Sequence, residues 1–333
     1  MKMSKKQNTG ISLGKKVIAT ALCLVMGYST VGTVVNASAI SQINPSSKLG
    51  ANGSKYYSQY SSNEELQAAT KAANVDMVVE GTILLKNGGG ETGEENKLPY
   101  ADIKNISVFG INSDAYGYGG TGSGSGQLEE GADIYTSFEN AGININPKLK
   151  ALYQKYSGGS LSAEAKYTTP TYEDKELSLD YYTKAIQATY ENYNDAALVV
   201  ISRLGGEGAD LGVENVENRV RPDENGNLVA DPTEHYLELS YNEEQMIKHV
   251  KENFEKVVVL FNSGNAIEMG ELQNDPGIDA IIHIGQTGDY GFDGILKIIK
   301  GEANPSGRTV DIYTTDFTVD PTYHKLVNGS QNV

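Results

Sequence analysis

Two spacings of apolar residues alternate along this chain. Predominantly apolar runs occupy residues 106–109, 197–202, 257–261 and 280–284, and residues 309–313 close the series. Runs that are apolar on both faces read as buried strands of a parallel sheet. Between them lie stretches with a helical period. Leu66, Ala69, Ala73, Met77 and Gly81 begin that series and run into the apolar stretch 82–85; residues 180–193, 242–254, 266–272 and 290–300 continue it. Asn63, followed by Glu64 and Glu65, predicts the first helix cap. Strands alternating with amphipathic helices predict an α/β fold, a three-layer α/β sandwich with a mainly parallel central sheet, over residues 63–320. Residues 205–240 carry few apolar positions and read as a long insertion after one strand.

The ends of the chain differ from this body. Lys2, Lys5, Lys6, Lys15 and Lys16 precede an apolar run over 17–35, and Ala37-Ser38-Ala39 follows it. Basic residues, an apolar stretch and then small residues have the order of a secretory signal over 1–39. Its 19 apolar-run residues also leave open an uncleaved membrane anchor, although Gly27, Ser29, Thr30, Gly32 and Thr33 weaken it as a permanent span. The expectation is an exported protein, secreted or anchored at the outer face of the cell membrane. Residues 40–62, rich in Ser, Asn, Gly and Tyr, read as a linker, and 321–333 as a tail or truncated linker.

Composition narrows the chemistry. The 333 residues carry a formal charge of −16, which argues against nucleic acid as a partner, since phosphate binding needs a concentrated basic surface. The only cysteine, Cys23, lies in the leader, so a cleaved chain has no thiol for catalysis. Four histidines, at 235, 249, 283 and 324, show no zinc-ligand spacing, and neither a metal nor an organic cofactor is implied.

In open α/β sheets ligands gather beyond the carboxyl ends of strands, which directs attention to four loops. The first, residues 117–126, contains G-x-G-x-x-G, but its glycines continue where a dinucleotide loop would open into a helix. A backbone surface that a sugar or a second domain approaches closely is the functional reading there, and a plain surface loop is the bland one. The second holds Glu207 between Gly206 and Gly208, soon after the strand 197–202. A carboxyl pointed into a cleft and partly desolvated acts as a general acid; a solvated loop acid is the bland alternative. Asn262-Ser263-Gly264-Asn265 reads as a strand end with Asn265 as a helix cap. Residues 304–308 read as a tight turn, with Arg308 pairing nearby acids.

In order along the chain, five stretches resemble the α/β sandwich domain of glycoside hydrolase family 3, the family of many β-glucosidases. They are residues 80–87, residues 108–110 with the glycine loop, 199–210 with Gly206-Glu207-Gly208, 257–264 (VVVLFNSG) and 294–308 (GILKIIKGEANPSGR). The resemblance covers roughly residues 64–320. It implies a retaining β-glycosidase of β-glucosidase or β-xylosidase type, acting on β-linked oligosaccharides or glucosides. In that family a (β/α)8 barrel supplies an aspartate nucleophile, and the sandwich commonly supplies the acid/base glutamate, here Glu207. The same resemblance nominates Gly120, Gly122, Ser123, Gly124, Arg203 and Asp210 as substrate-side residues.

The chain also departs from the family pattern. A barrel takes about 250 residues, and none is legible here. Ser113-Asp114 resembles the nucleophile motif but belongs to the first strand-to-helix loop of the sandwich. Residues 285–290 (GQTGDY) replace the usual Pro-Gly-type loop. With the sandwich leading, the order resembles circularly permuted members. The expectation is therefore a half-site module, inactive alone, completed by a barrel in cis or in trans. The competing expectations are a truncated gene product with no role of its own and a non-catalytic carbohydrate-binding or interaction protein. For the latter, Tyr116, Tyr118, Tyr236, Tyr241 and Tyr290 would serve as aromatic platforms.

Overall fold

A computed structural model describes residues 59–88, 97–119, 132–157, 175–203, 220–231 and 234–319. The chain divides into two units, Met1–Gln67 and Ala68–Val333. In the first, the Ser62 hydroxyl accepts the Glu65 backbone N–H at 3.1 Å, while the Glu65 carboxylate accepts the Ser61 N–H at 2.7 Å. Ser62, rather than the expected Asn63, therefore caps helix α1 (Asn63–Gly81).

The second unit carries the sheet. Its elements in order are β1 (Ile83–Asn87), β2 (Asn105–Phe109), α2 (Ile134–Asn140), β3 (Asn144–Ile145), α3 (Pro147–Tyr156), α4 (Lys184–Gln187), β4 (Ala196–Arg203), a small hairpin of β5 (Val220–Pro222) and β6 (Leu228–Ala230), α5 (Tyr241–Asn253), β7 (Val257–Ser263), β8 (Ala280–His283) and α6 (Gly291–Lys300). The main sheet has the order β1-β8-β7-β4-β2-β3. All neighbours pair in parallel except β1, which runs antiparallel to β8 along one edge.

Successive residues of a strand point to opposite faces, so each apolar run supplies two cores at once. Leu198 and Val200 of β4 join Val258 and Leu260 of β7 beneath Phe138 of α2 and Phe292, Ile295 and Ile299 of α6. Val199 and Ile201 join Val257, Val259 and Phe261 on the other face, covered by Leu149 and Tyr153 of α3 and Met246 and Val250 of α5. This is the expected three-layer α/β sandwich.

Several local expectations are corrected. Residues 309–313 are not a strand of the sheet. β1 already holds the place beside β8, Gly307 N–H bonds Thr82 O at 3.1 Å, and the chain then leaves with Val310 96% and Ile312 86% exposed. The helix expected over 266–272 is reduced to a 3-10 turn, Gly270–Asn274; residues 266–269 are not helical, because Glu268 N–H bonds Leu237 O and Met269 N–H bonds Thr314 O, both outside the segment. Asn265 accordingly caps no helix; its side chain bonds Ser263 Oγ and Ala266 O. The helix expected over 180–193 is broken into α4 and two single 3-10 turns, Leu179–Tyr181 and Tyr190–Asn192, with the Thr189 hydroxyl bonding Ile186 O.

Two helices escape the periodicity reading although their starts are written in the sequence. Asp133 caps α2 through Thr136 N–H at 2.6 Å. Asn146 caps α3, with Pro147 in its first turn. Within the stretch read as a long insertion, β5 and β6 pair antiparallel. Among the described residues, no helix is long and apolar enough to cross a membrane. The leader of residues 1–39 lies outside them.

Candidate functional site at the carboxyl ends of the strands

Four parallel strands point their carboxyl ends to the same edge of the sheet: β2 ends at Phe109, β4 at Arg203, β7 at Ser263 and β8 at His283. Leaving β2, the chain passes over β4 through Gly110, whose φ is +96°. A Cβ there would lie 2.3 Å from Val200 O, so only glycine allows this crossing. The following turn, Ile111–Ser113, is held from two sides. Glu176 accepts the Ile111 N–H at 2.7 Å, and Asn112 accepts the Ser202 N–H at 3.1 Å. Asp114 accepts a hydrogen bond from the Ser157 hydroxyl, and Ser113 meets Gly110 O and the Tyr135 hydroxyl. Both residues are engaged in holding this loop to the sandwich.

The loops after β2, β7 and β8 converge. Asn262 of β7, fully buried, bonds Gly117 and Gly285, and Gly288 N–H reaches Tyr118 O at 2.8 Å. Thr287 O accepts from Asn74 Nδ2 at 3.2 Å, and Asn74 Oδ1 takes the Tyr290 N–H at 2.7 Å, tying the loop after β8 to α1. His283 Nε2–H donates to Ser263 O, while Nδ1 accepts the Tyr313 hydroxyl. Burial lowers the His283 pKa below the ordinary imidazole value, partly offset by the bond to Ser263 O. Burial, with the Asp311 charge adding to it, pushes the Tyr313 phenol up to about 12. At neutral pH the pair is an uncharged tether for residues beyond 309.

At the end of β4, Arg203 is 3% exposed. Its guanidinium is fully occupied: Nε donates to Tyr236 O, Nη1 to Ser202 O and Glu243 Oε1, and Nη2 to Glu238 O and Glu243 Oε2. The Tyr236 ring lies over the guanidinium at 5.0 Å. Of the residues nominated from the sequence for the substrate side, Arg203 is thus placed as an anchor between β4 and α5. Glu207, Gly120, Gly122, Ser123, Gly124 and Asp210 lie outside the described residues.

The tyrosine platforms are largely taken up by the core. Tyr116 and Tyr118 are 1% and 8% exposed, and Tyr116 packs edge-on against Phe292 at 4.9 Å. Tyr236 is likewise buried. Tyr290 keeps partial exposure, with the Lys71 ammonium 4.9 Å from its ring centre.

One cluster was not legible from spacing, because its members come from separate segments. His235, Glu238 and Glu268 bring one ligand atom each to within 4.8 Å of one another. The imidazole disfavours a metal there. His235 Nδ1 accepts the Leu237 N–H at 3.2 Å, so the ring proton sits on Nε2 and is shared with Glu268 Oε1 at 3.1 Å. A metal would need the Nε2 lone pair that this tautomer lacks.

Residues 82–331 match the family described as Glycosyl hydrolase family 3 C-terminal domain. Beta-glucosidase A of Butyrivibrio fibrisolvens is 30% identical over 280 residues, covering 81% of this chain and 30% of that protein. A beta-glucosidase of Ruminococcus albus is 27% identical over 264 residues, covering 76% of this chain and 24% of its own length. Among solved structures, beta-glucosidase 3B from Thermotoga neapolitana in complex with glycerol aligns with a TM-score of 0.55 at 23% identity, over 80% of this chain and 33% of that one. The same enzyme in complex with glucose aligns at 0.54 and 25% identity, over 78% and 33%. The chain spans a third or less of the length of each of these relatives. The match over residues 82–331 and the 30% identity over 81% of the chain agree: this chain belongs to glycosyl hydrolase family 3, with the C-terminal domain of that family in residues 82–331.

Proposed function

We propose that this chain is the acid/base-bearing module of a retaining β-glycosidase of β-glucosidase or β-xylosidase type, exported from the cell and completed by a (β/α)8 barrel in cis or in trans. The observation that carries the reading is the family match over 82–331 together with the anchoring of Arg203 at the end of β4, four residues before Glu207. An acid/base residue is useful only on a rigid base, because its proton must meet the glycosidic oxygen at hydrogen-bond distance.

In this mechanism an aspartate of the barrel attacks the anomeric carbon as Glu207 protonates the departing oxygen. Glu207 then takes a proton from the water that hydrolyses the glycosyl-enzyme. A retaining pair of carboxyl groups stands about 5–5.5 Å apart, so the module and its barrel must close directly over the sugar. The burial of Tyr116, Tyr118 and Tyr236 weighs against a purely carbohydrate-binding role built on aromatic platforms.

The test is release of nitrophenol from aryl β-glucoside and β-xyloside by the chain alone and after mixing with a family barrel. Turnover only in the mixture, lost on Glu207→Gln, is the expected result. Turnover by the chain alone that Glu207→Gln abolishes would locate a second carboxylate within it and overturn the half-site reading.

A further inference from the structure

Asn262 is hydrogen-bonded through both ends of its carboxamide. Its Nδ2 donates to Gly117 O at 2.8 Å and to Gly285 O at 2.6 Å. Its Oδ1 accepts Gly117 N–H at 2.6 Å and, at 3.0 Å, the Ser202 hydroxyl, which it shares with the Asn262 backbone carbonyl at 2.9 Å. The opposite orientation of the amide would set oxygen against two carbonyls and NH2 against an N–H, so the network admits one arrangement only. Gly117 is bonded through both its N–H and its C=O, much as a neighbouring strand would hold it. One side chain at 0% exposure therefore joins the strand end of β4 to the loops after β2 and β8. A buried apolar residue of similar size would fill the volume and hold none of them.

We propose that Asn262 is a positioning residue, setting loop residues 117–119 and 285–288 and the end of β4, Ser202–Arg203, relative to one another. This rests on the reading above that those strand ends face the sugar. Asn262 itself, fully buried, acts through these loops.

The test compares Asn262→Asp, Asn262→Leu and the wild-type full chain by hydrogen exchange, with the urea midpoint measured alongside. A carboxylate is a pure acceptor and would face the carbonyls of Gly117 and Gly285; once protonated it regains one donor. At pH 7 the amides of 117–119 and 285–288 should exchange at least about tenfold faster in Asn262→Asp, while the central amides of β4 and β7 keep their protection. At pH 5, after correction for intrinsic rates and against the wild type at both pH values, Asn262→Asp should recover part of that protection and Asn262→Leu none. Should Asn262→Leu fail to fold, Ser202→Ala removes one of the four contacts and should give a smaller acceleration at the same amides. Unchanged loop exchange, or equal acceleration across the whole sheet, overturns the proposal.

With a family barrel supplied, kcat for the aryl β-glucoside should fall at least about tenfold in Asn262→Asp at pH 7 and recover in part at pH 5, since a misplaced acid costs chiefly the chemical step. Loosened loops with unchanged kcat also overturn the positioning role. A wild-type mixture without turnover would instead refute the sugar-site reading, and exchange alone would then judge the clamp.

Discussion

Arg203 and Glu243, forty residues apart in the chain, face each other as a doubly bonded pair, 2.8 Å from Nη1 to Oε1 and 2.7 Å from Nη2 to Oε2. Their side chains are 3% and 5% exposed. Glu243 also closes the capping box of α5, taking the Ser240 N–H at 2.8 Å. One carboxylate thus fixes both the start of a helix and the end of the strand that precedes Glu207.

Breaking this pair from one side should be costly. Arg203→Met leaves the Glu243 carboxylate buried with its partner gone, and should lower unfolding free energy by about 3–5 kcal/mol in urea titrations. The double variant Arg203→Met with Glu243→Met should lose less than the sum of the two single changes, because no charge is then stranded. Strict additivity would show that the two side chains do not depend on each other.

Gly110→Ala should destabilise although it adds one methyl group. The backbone conformation at φ +96° costs a non-glycine residue about 1–3 kcal/mol. The new Cβ would also meet Val200 O at 2.3 Å, which forces the crossing loop away from β4. A fall in thermal midpoint with faster exchange at residues 111–113 is expected; a variant as stable as wild type would refute the close approach.

The His283–Tyr313 tether should impose a pH dependence. The folded His283 pKa lies below its unfolded value of about 6.5, so the unfolded chain binds more protons between the two. Stability is therefore fully present above about pH 6.5 and falls as pH drops toward the folded pKa. His249, also lowered by burial, adds a change of the same sign. Urea midpoints from pH 7.5 to 5 should decline in the wild type and less steeply in His283→Gln. Identical slopes would mean that His283 is already solvated in the folded chain.

The layers of this protein are legible in its sequence. Strand runs such as 197–202 and 257–261 declare themselves because burial on both faces removes nearly every polar position from a short segment. The 290–300 pattern declares α6 because one face of a helix must stay wet. Asp133 and Asn146-Pro147 carried readable helix starts that periodicity alone passed over, since α2 and α3 are only 7 and 10 residues long. The family resemblance was likewise readable from five stretches in order.

Tertiary structure decided the rest, because backbone and side-chain hydrogen bonds can be satisfied from any distance along the chain. Residues 309–313 have the composition of a strand, yet β1 occupies the edge beside β8 in the antiparallel sense. Arg203, open on sequence grounds to a role at the substrate, is consumed by Glu243 and three backbone carbonyls. Asn262 reads in sequence as part of a polar strand end, and its partner Gly117 lies 145 residues away. Periodicity records what each residue buries; it carries no record of which distant group will answer a buried donor or acceptor.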